Sequence, residues 1–336
     1  MVLNTKRLNK LLDRFSSLKV AVLGDLVADL YWTGRLSRFS REAPVPIVSL
    51  EKETLLPGGA ANTATNILSL SGRVNLFGRL GSDKEGTELS SLLREKKGLS
   101  LHLFESSDYR TITKLRIKAG GFHTRYAQVL RLDRELPEIP LTDKDIETLI
   151  DNLSIYDALI LSDYGYGSAS PSVFERLKKR IRKGMVFAVD SRHRIALYKG
   201  ASLITPNEEE TAYTFGKEAI EEDKILEYAR QLRKMSEAKN LIVTRGHAGM
   251  ALVEKGRKGF LLPICGGTDI VDTTGAGDTV IAAATLALAS GGNLMDAGII
   301  ATCAASITIM QEGAASASID ELRKEIEAFQ NQVYGR

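Results

Sequence analysis

Short apolar runs recur along the chain, and each ends on an acid, an asparagine or a glycine. Val20-Ala21-Val22-Leu23-Gly24 ends at Asp25. Ala158 to Ser162 ends at Asp163, and Met185 to Val189 at Asp190. Leu203 to Thr205 ends at Pro206-Asn207, and Leu241 to Thr244 at Arg245-Gly246. Runs this short, bounded by turn residues, predict buried strands. Val74 to Leu80 predicts another. Between them the period changes to that of amphipathic helices, over Asp83 to Lys96 and Thr142 to Tyr156. Ser170-Pro171 opens a further helix with a cap and a first-turn proline. Met250 to Glu254 and Gly259 to Ile264 predict two antiparallel strands. Three helices then close the chain, the last starting at Ser318 with Glu321 in capping-box spacing. This alternation predicts an α/β fold with a doubly wound, mostly parallel sheet. Ligands of such sheets lie beyond the carboxyl ends of the strands, so Asp25, Asp163, Asp190 and Asn207 are expected along one edge.

Two regions break the alternation. Leu30 to Leu56 holds Tyr31, Trp32, Arg35, Arg38, Arg41, Pro44 and Pro46, with period-two alternation from Val45 to Leu50. Thr111 to Lys118 and Arg125 to Asp133 also alternate, separated by Gly120-Gly121, and predict a hairpin. Together they predict a small second sheet, a lid formed by about 30–56 and 109–133, on a single domain covering 1–336. Pro57-Gly58-Gly59 leads into a helical pattern from Ala60 to Ser71.

Composition narrows the function classes. Forty-five basic residues against 42 acidic leave a net charge of +3, too small to point to nucleic acid as a partner. Val280 to Ala289 and Ala297 to Met310 are apolar but too short to span a bilayer, so no membrane partner is expected. The first 19 residues lack the apolar core of a signal peptide. Cys265 and Cys303 are not in a metal or redox spacing. A reduced cytoplasmic enzyme is the expectation. His102, His123, His193 and His247 form no metal or triad spacing and receive no role.

The strongest chemical signal is Asp272-Thr273-Thr274-Gly275-Ala276-Gly277-Asp278, followed at once by an apolar helix. The two glycines allow a tight turn, and the helix N-terminus presents unpaired N–H groups to an anion. A carboxylate at Asp278 can accept a hydroxyl proton while those N–H groups hold a phosphoryl group. A glycine turn with an acidic cap would look the same. Phosphoryl transfer is nonetheless the leading use, because the chain has no GxxxxGK[ST] loop and no GxGxxG after a strand.

Asp272 to Asp278 resembles the C-terminal signature of the ribokinase-like (PfkB) carbohydrate kinases. Pro57 to Asn62 resembles their N-terminal sugar-binding signature, and Asn207 to Glu210 their Asn-x-x-Glu segment. The resemblance covers about residues 15 to 330. Gly24-Asp25 with Asp29, Tyr31 and Trp32, Ser37 to Pro46, Thr111 to Arg116 and Leu161 to Tyr164 are similar to the heptose 7-phosphate kinases of lipopolysaccharide core synthesis. Leu30, Arg41 and Asp190-Ser191-Arg192 depart from that pattern. The resemblance implies ATP-dependent phosphorylation of the anomeric hydroxyl of D-glycero-β-D-manno-heptose 7-phosphate. The chain resembles the stand-alone kinase, so a separate adenylyltransferase and a phosphatase are expected in the same pathway. Other members act on ribose, fructose, nucleosides or keto-sugar acids. A non-catalytic sensing module is the alternative of another class, although the base and the Asn-x-x-Glu pair are both present.

Roles follow from the resemblance. Asp278 is the expected base, with Gly275, Ala276 and Gly277 as the anion-binding backbone. Gly58, Gly59, Asn62, Asp25, Asp29 and Asp163 are candidates for sugar binding, with Asp25 preferred over Asp29. Arg38, Lys114, Arg116 and Arg192 are candidates for the substrate phosphate, since a guanidinium suits that group. Thr244, Gly246 and Gly249 lie where the nucleotide is expected. Asn207 and Glu210 would hold Mg²⁺ through water. Asp272 and Thr274 match positions that bind a monovalent cation such as K⁺ in some relatives. Relatives pair through their lids, which implies a homodimer.

Overall fold

The computed structural model describes residues 4–104, 108–120, 126–267, 271–311 and 313–334. Nine strands form the main sheet: β1 (Lys19–Gly24), β4 (Arg73–Gly78), β5 (Leu99–Leu103), β8 (Ala158–Asp163), β9 (Val186–Ser191), β10 (Leu203–Ile204), β11 (Asn240–Thr244), β12 (Met250–Glu254) and β13 (Phe260–Leu262). Their order is β13-β12-β11-β10-β9-β8-β1-β4-β5. The pairings are parallel except those of β12 with β11 and β13, as the sequence predicts. The chain moves outward from β1 to β4 and β5, then returns beside β1 with β8 and runs the other way. The strand order therefore reverses at β1 and β8, where such sheets bind ligands.

Alternation in the strands sorts side chains onto two faces. Val20, Val22, Ile160 and Ile242 point into one core with helices α1 (Thr5–Leu12), α2 (Ala60–Ser69), α8 (Ala276–Ala289), α9 (Leu294–Ile309) and α10 (Ile319–Tyr334). Ala21, Leu23, Leu159, Leu161 and Val243 point into the other. That second core is covered by α4 (Asp143–Ile150), α5 (Pro171–Lys178) and α7 (Ile225–Met235). Helices α3 (Lys84–Arg94) and α6 (Glu208–Thr214) complete the set.

The lid is the four-stranded sheet β3-β2-β6-β7, from β2 (Leu26–Phe39), β3 (Pro46–Gly59), β6 (Ile112–Gly120) and β7 (Ala127–Arg134). Strand β2 starts two residues after β1, so Asp29 is carried straight out of the core. The lid reaches further inward than expected. Pro57-Gly58-Gly59 is the end of β3, opposite Leu26 to Ala28, and leads directly into α2 with Gly59 at its N-cap. The β2/β3 register slips between Thr33 and Gly34 and again between Leu36 and Arg38. The β6/β7 register slips between Ile117 and Lys118. Gly121, His123 and Arg125 lie outside the described residues.

Other boundaries shift for local reasons. The helix expected to Tyr156 stops at Ile150 and gives way to a single 3₁₀ turn. Its start is a capping box between Thr142 and Asp145. The α2 helix ends before Ser71, whose φ of 69° is left-handed. Helix α1 and edge strand β5 went unpredicted. Cys265 and Cys303, remote in sequence, are both buried with their sulfurs 3.1 Å apart. Among the described residues no helix is long and apolar enough to cross a membrane.

Candidate active site

Two cavities of about 310 and 290 Å³ meet beyond the carboxyl ends of β1, β8 and β9. Asp190, Asn207, Glu210, Thr273 and Gly277 line both and form the common wall. The first cavity is an apolar slot between Met250, Ile264, Val280, Ala305 and Ile309, with Thr244, Gly246 and Gly249 along it. The second is polar and charged, with Asp29, Asn62, Lys114, Arg116, Tyr164 and Asp278 among its walls.

Asp278 lies in the first turn of α8 and is only 4% exposed. Gly275 precedes the helix at a φ of 81°, and a Cβ there would come within 2.4 Å of the Asn62 amide nitrogen. Only glycine makes that turn against Asn62 without strain. Asn62 Nδ2 donates to Asp278 Oδ2 at 2.8 Å, and Thr63 Oγ1 donates to Oδ1 at 3.0 Å. Tyr164 O–H approaches from the other side at 3.3 Å. Thr279 donates to Asn66, and Asn66 in turn donates to the Asn62 carbonyl. Burial pushes the Asp278 carboxyl up to about 6, against the lowering effect of the Asn62 and Thr63 donors. A base titrating there is ionised at neutral pH yet strong enough to take a hydroxyl proton in passing.

Asn62 corrects one expectation in part. It borders the polar cavity, but its amide is engaged by Asp278 and its oxygen receives Asn66. Its visible work is to hold the Asp278 carboxylate.

The aspartates exchange the priority given to them. Asp25 is fully buried, lines neither cavity, and accepts the N–H groups of Tyr164, Tyr166 and Ser168. Its carboxylate therefore shapes the 164–168 loop. Asp29 is the one that reaches the polar cavity, with Arg116 Nη1 2.6 Å from Oδ1. A Cβ on Gly58 would stand 2.2 Å from Asp29 Oδ2, so this glycine makes room for that carboxylate. Asp163 points away from both cavities. It accepts Arg194 at 2.6 and 3.1 Å, Ser191 Oγ at 2.6 Å and Tyr198 O–H at 2.6 Å. That is a structural ion pair, and the sugar-binding expectation for Asp163 is withdrawn.

The cations also separate. Arg38 is exposed at the outer end of β2, opposite Ile47, and lines neither cavity, so its expected place on the substrate phosphate is corrected. Lys114, Arg116 and Arg192 do line the polar cavity, joined by Arg131, which the sequence reading missed. The lid register that sets Arg116 opposite Arg131 is the only signal for the latter, and it is not written in local sequence. Burial, then Arg192, lowers Lys114 to about 8.

At the common wall Asn207 and Glu210 form a reciprocal capping box on α6, at 2.7 and 2.9 Å. Glu210 still faces both cavities, and burial raises it to about 7. Asp190 beside it is raised well above the usual range by burial, then by Glu210 and Asp278. These crowded acids make a favourable place for a cation carrying its own water. Glu208 is instead paired with Arg245 at 2.9 Å. Asp272 accepts the N–H groups of Thr274 and Gly313, and Thr274 borders the polar cavity. Neither cavity is lined by His102, His193 or His247.

An apolar slot, a helix N-terminus suited to phosphate and a buried carboxylate facing a polar cavity are the parts of an ATP-dependent sugar kinase. The description of the pfkB family carbohydrate kinases matches residues 17–321, and the chain belongs to that family. It is 35% identical over 324 residues to the bifunctional protein HldE of Coxiella burnetii and 37% identical over 324 residues to that of Haemophilus influenzae. In each case the match takes in 96% of this chain and 66% of the relative, so the chain spans about two thirds of their length. Its fold is similar to phosphofructokinase-2 from Escherichia coli in complex with substrates and products, with TM-score 0.74, 19% identity, and 93% and 99% of the two chains covered. Arabidopsis thaliana ribokinase complexed with ribose and ATP gives TM-score 0.67 at 20% identity, over 93% of this chain and 98% of that one. The fold is thus ribokinase-like.

Two expectations can be measured. Asp163→Ala removes the buried acceptor shared by Ser191, Tyr198 and Arg194, while Arg194 keeps Glu138, and should lower unfolding free energy by about 2 kcal/mol in urea titration. The kcat/KM pH profile should rise through an acidic limb near 6 as Asp278 loses its proton. A rate independent of pH across that region would remove Asp278 as the titrating base.

Proposed function

We propose that the protein transfers the γ-phosphoryl group of ATP to the anomeric hydroxyl of D-glycero-β-D-manno-heptose 7-phosphate, giving the 1,7-bisphosphate. The observation that carries this reading is the polar cavity itself, where the base Asp278 shares walls with Lys114, Arg116, Arg131 and Arg192. Arg116 and Arg131 are held by Asp29 and Asp133, and an unphosphorylated sugar would bring Lys114 and Arg192 no anion to meet. The 35–37% identity to HldE proteins and the lid motifs support heptose over other sugar phosphates.

In this reading ATP lays its base in the apolar slot beside Thr244, Gly246 and Gly249, and its phosphates reach the common wall. Asp29 accepts hydrogen bonds from sugar hydroxyls, and the Gly58-Gly59 backbone allows close approach. Asp278 takes the proton of the anomeric hydroxyl as that oxygen bonds to the γ-phosphorus and the bond to ADP breaks. The N–H groups of Gly275, Ala276 and Gly277 at the positive end of α8 meet the charge on the transferring group. Glu210, with Asn207 behind it, would hold Mg²⁺ through water, and the ion would neutralise phosphate charge. Asp272 and Thr274 are the proposed seat of a monovalent cation. Phe39, Leu50, Leu130 and Leu132 are exposed on the lid, and we take this as the surface on which two copies pair.

A coupled assay for ADP release tests the substrate. Heptose 7-phosphate should give the highest kcat/KM in a panel with fructose 6-phosphate, ribose and fructose. A strong preference for an unphosphorylated sugar would reject the reading. Asp278→Asn should reduce kcat by at least about 10²-fold while ATP and sugar phosphate still bind by calorimetry.

A further inference from the structure

Tyr164 is used twice, by different parts of the side chain. Its hydroxyl lies 3.3 Å from Oδ1 and 3.5 Å from Oδ2 of Asp278. Its ring lies under two cations, with Lys114 Nζ 5.0 Å and the Arg192 guanidinium carbon 4.9 Å from the ring centroid. The main chain at Tyr164 is anchored, because its N–H donates to buried Asp25 at 3.0 Å.

The two cations over the ring differ from the other basic groups of the cavity. Arg116 is engaged by Asp29, and Arg131 by Asp133 at 2.7 Å. Lys114 is only 5% exposed, and among the described residues neither it nor Arg192 forms an ion pair with a carboxylate. Asp29 and Asp133 act on Lys114, and Asp190 and Glu210 on Arg192, without closing an ion pair, so two like charges share one ring and an anion between them relieves their repulsion. A π face below steadies both without neutralising either. The charge left over is directed into the polar cavity, a short distance from the base. Burial also keeps the Tyr164 hydroxyl protonated, so it can only donate to the Asp278 carboxylate or accept from solvent.

The geometry points to Tyr164 as a positioning residue with two separable duties. Its ring is the platform on which Lys114 and Arg192 receive the anionic group of the sugar substrate, and its hydroxyl keeps Asp278 aimed at the acceptor hydroxyl. This rests on the proposal that a phosphorylated sugar fills the polar cavity, but not on which sugar it is.

Two variants separate the duties. Tyr164→Phe keeps the platform and removes the hydroxyl, so kcat should fall by about tenfold while KM for the sugar phosphate stays within about twofold. Tyr164→Leu removes both, so KM for the sugar phosphate should rise by about tenfold as well. KM for ATP should not move in either. The substrate in each case is the sugar phosphate that wild type turns over best. A failed heptose assignment then appears as a different preferred sugar in wild type, whereas failure of this inference appears only in the variants. Wild-type kinetics in Tyr164→Phe would overturn the role of the hydroxyl. Equal changes in both variants, in KM and kcat alike, would reduce Tyr164 to ordinary packing. Tyr164→Phe decides the role of the hydroxyl even if Tyr164→Leu does not fold; Lys114→Gln then tests the platform, and an unchanged KM for the sugar phosphate would overturn it.

Discussion

A carboxylate buried at the end of an apolar helix is costly to ionise, and the structure around Asp278 is arranged to meet that cost. Its two strongest donors come from α2 and not from its own helix. They require α2 and α8 to cross closely, which the alanines Ala60, Ala61, Ala64 and Ala282 to Ala284 permit in the shared core. That crossing fixes where the N-terminus of α8 opens. The apolar slot falls on one side of it and the polar cavity on the other. Moving α2 would move the Asp278 carboxylate and both cavities together.

The donors also show why a strand end and a helix start stand side by side in the sequence. Gly58-Gly59 finishes the lid and Asn62-Thr63 begins the clasp on Asp278, so one hexapeptide serves two layers of the fold. From sequence it reads as a single sugar-binding loop. The main sheet, its antiparallel edge and the α8 turn are legible because each depends on neighbours in the chain: apolar runs, capping residues, paired glycines. The lid register, the separation of Asp25 from Asp29 and the arrival of Arg131 depend on residues tens of positions apart. Asp163 misleads for the same reason. It ends a strand at the ligand edge as expected, but Arg194 and Tyr198, both further along the chain, turn it inward.

Charge is divided across the site in a way that suits its chemistry. Cations stand on the lid side, where a sugar phosphate would enter, and crowded acids stand at the wall nearest the apolar slot. Burial raises Asp190 and Glu210 and lowers Lys114, so each cluster carries an electrostatic deficit that a ligand of the opposite sign relieves. A ligand of the opposite sign then gains from offsetting that burial as well as from the contacts it makes.

The slips in strand register have a mechanical consequence. Strands bend where the pairing is interrupted. In β2 both interruptions lie outward of Asp29, and in β6 the interruption lies outward of Lys114 and Arg116. The inner part of the lid therefore keeps regular pairing where it joins the core. The bends fall in the outer leaf, and the spacing of Asp29, Lys114 and Arg116 is set by the uninterrupted pairing of β2 with β6.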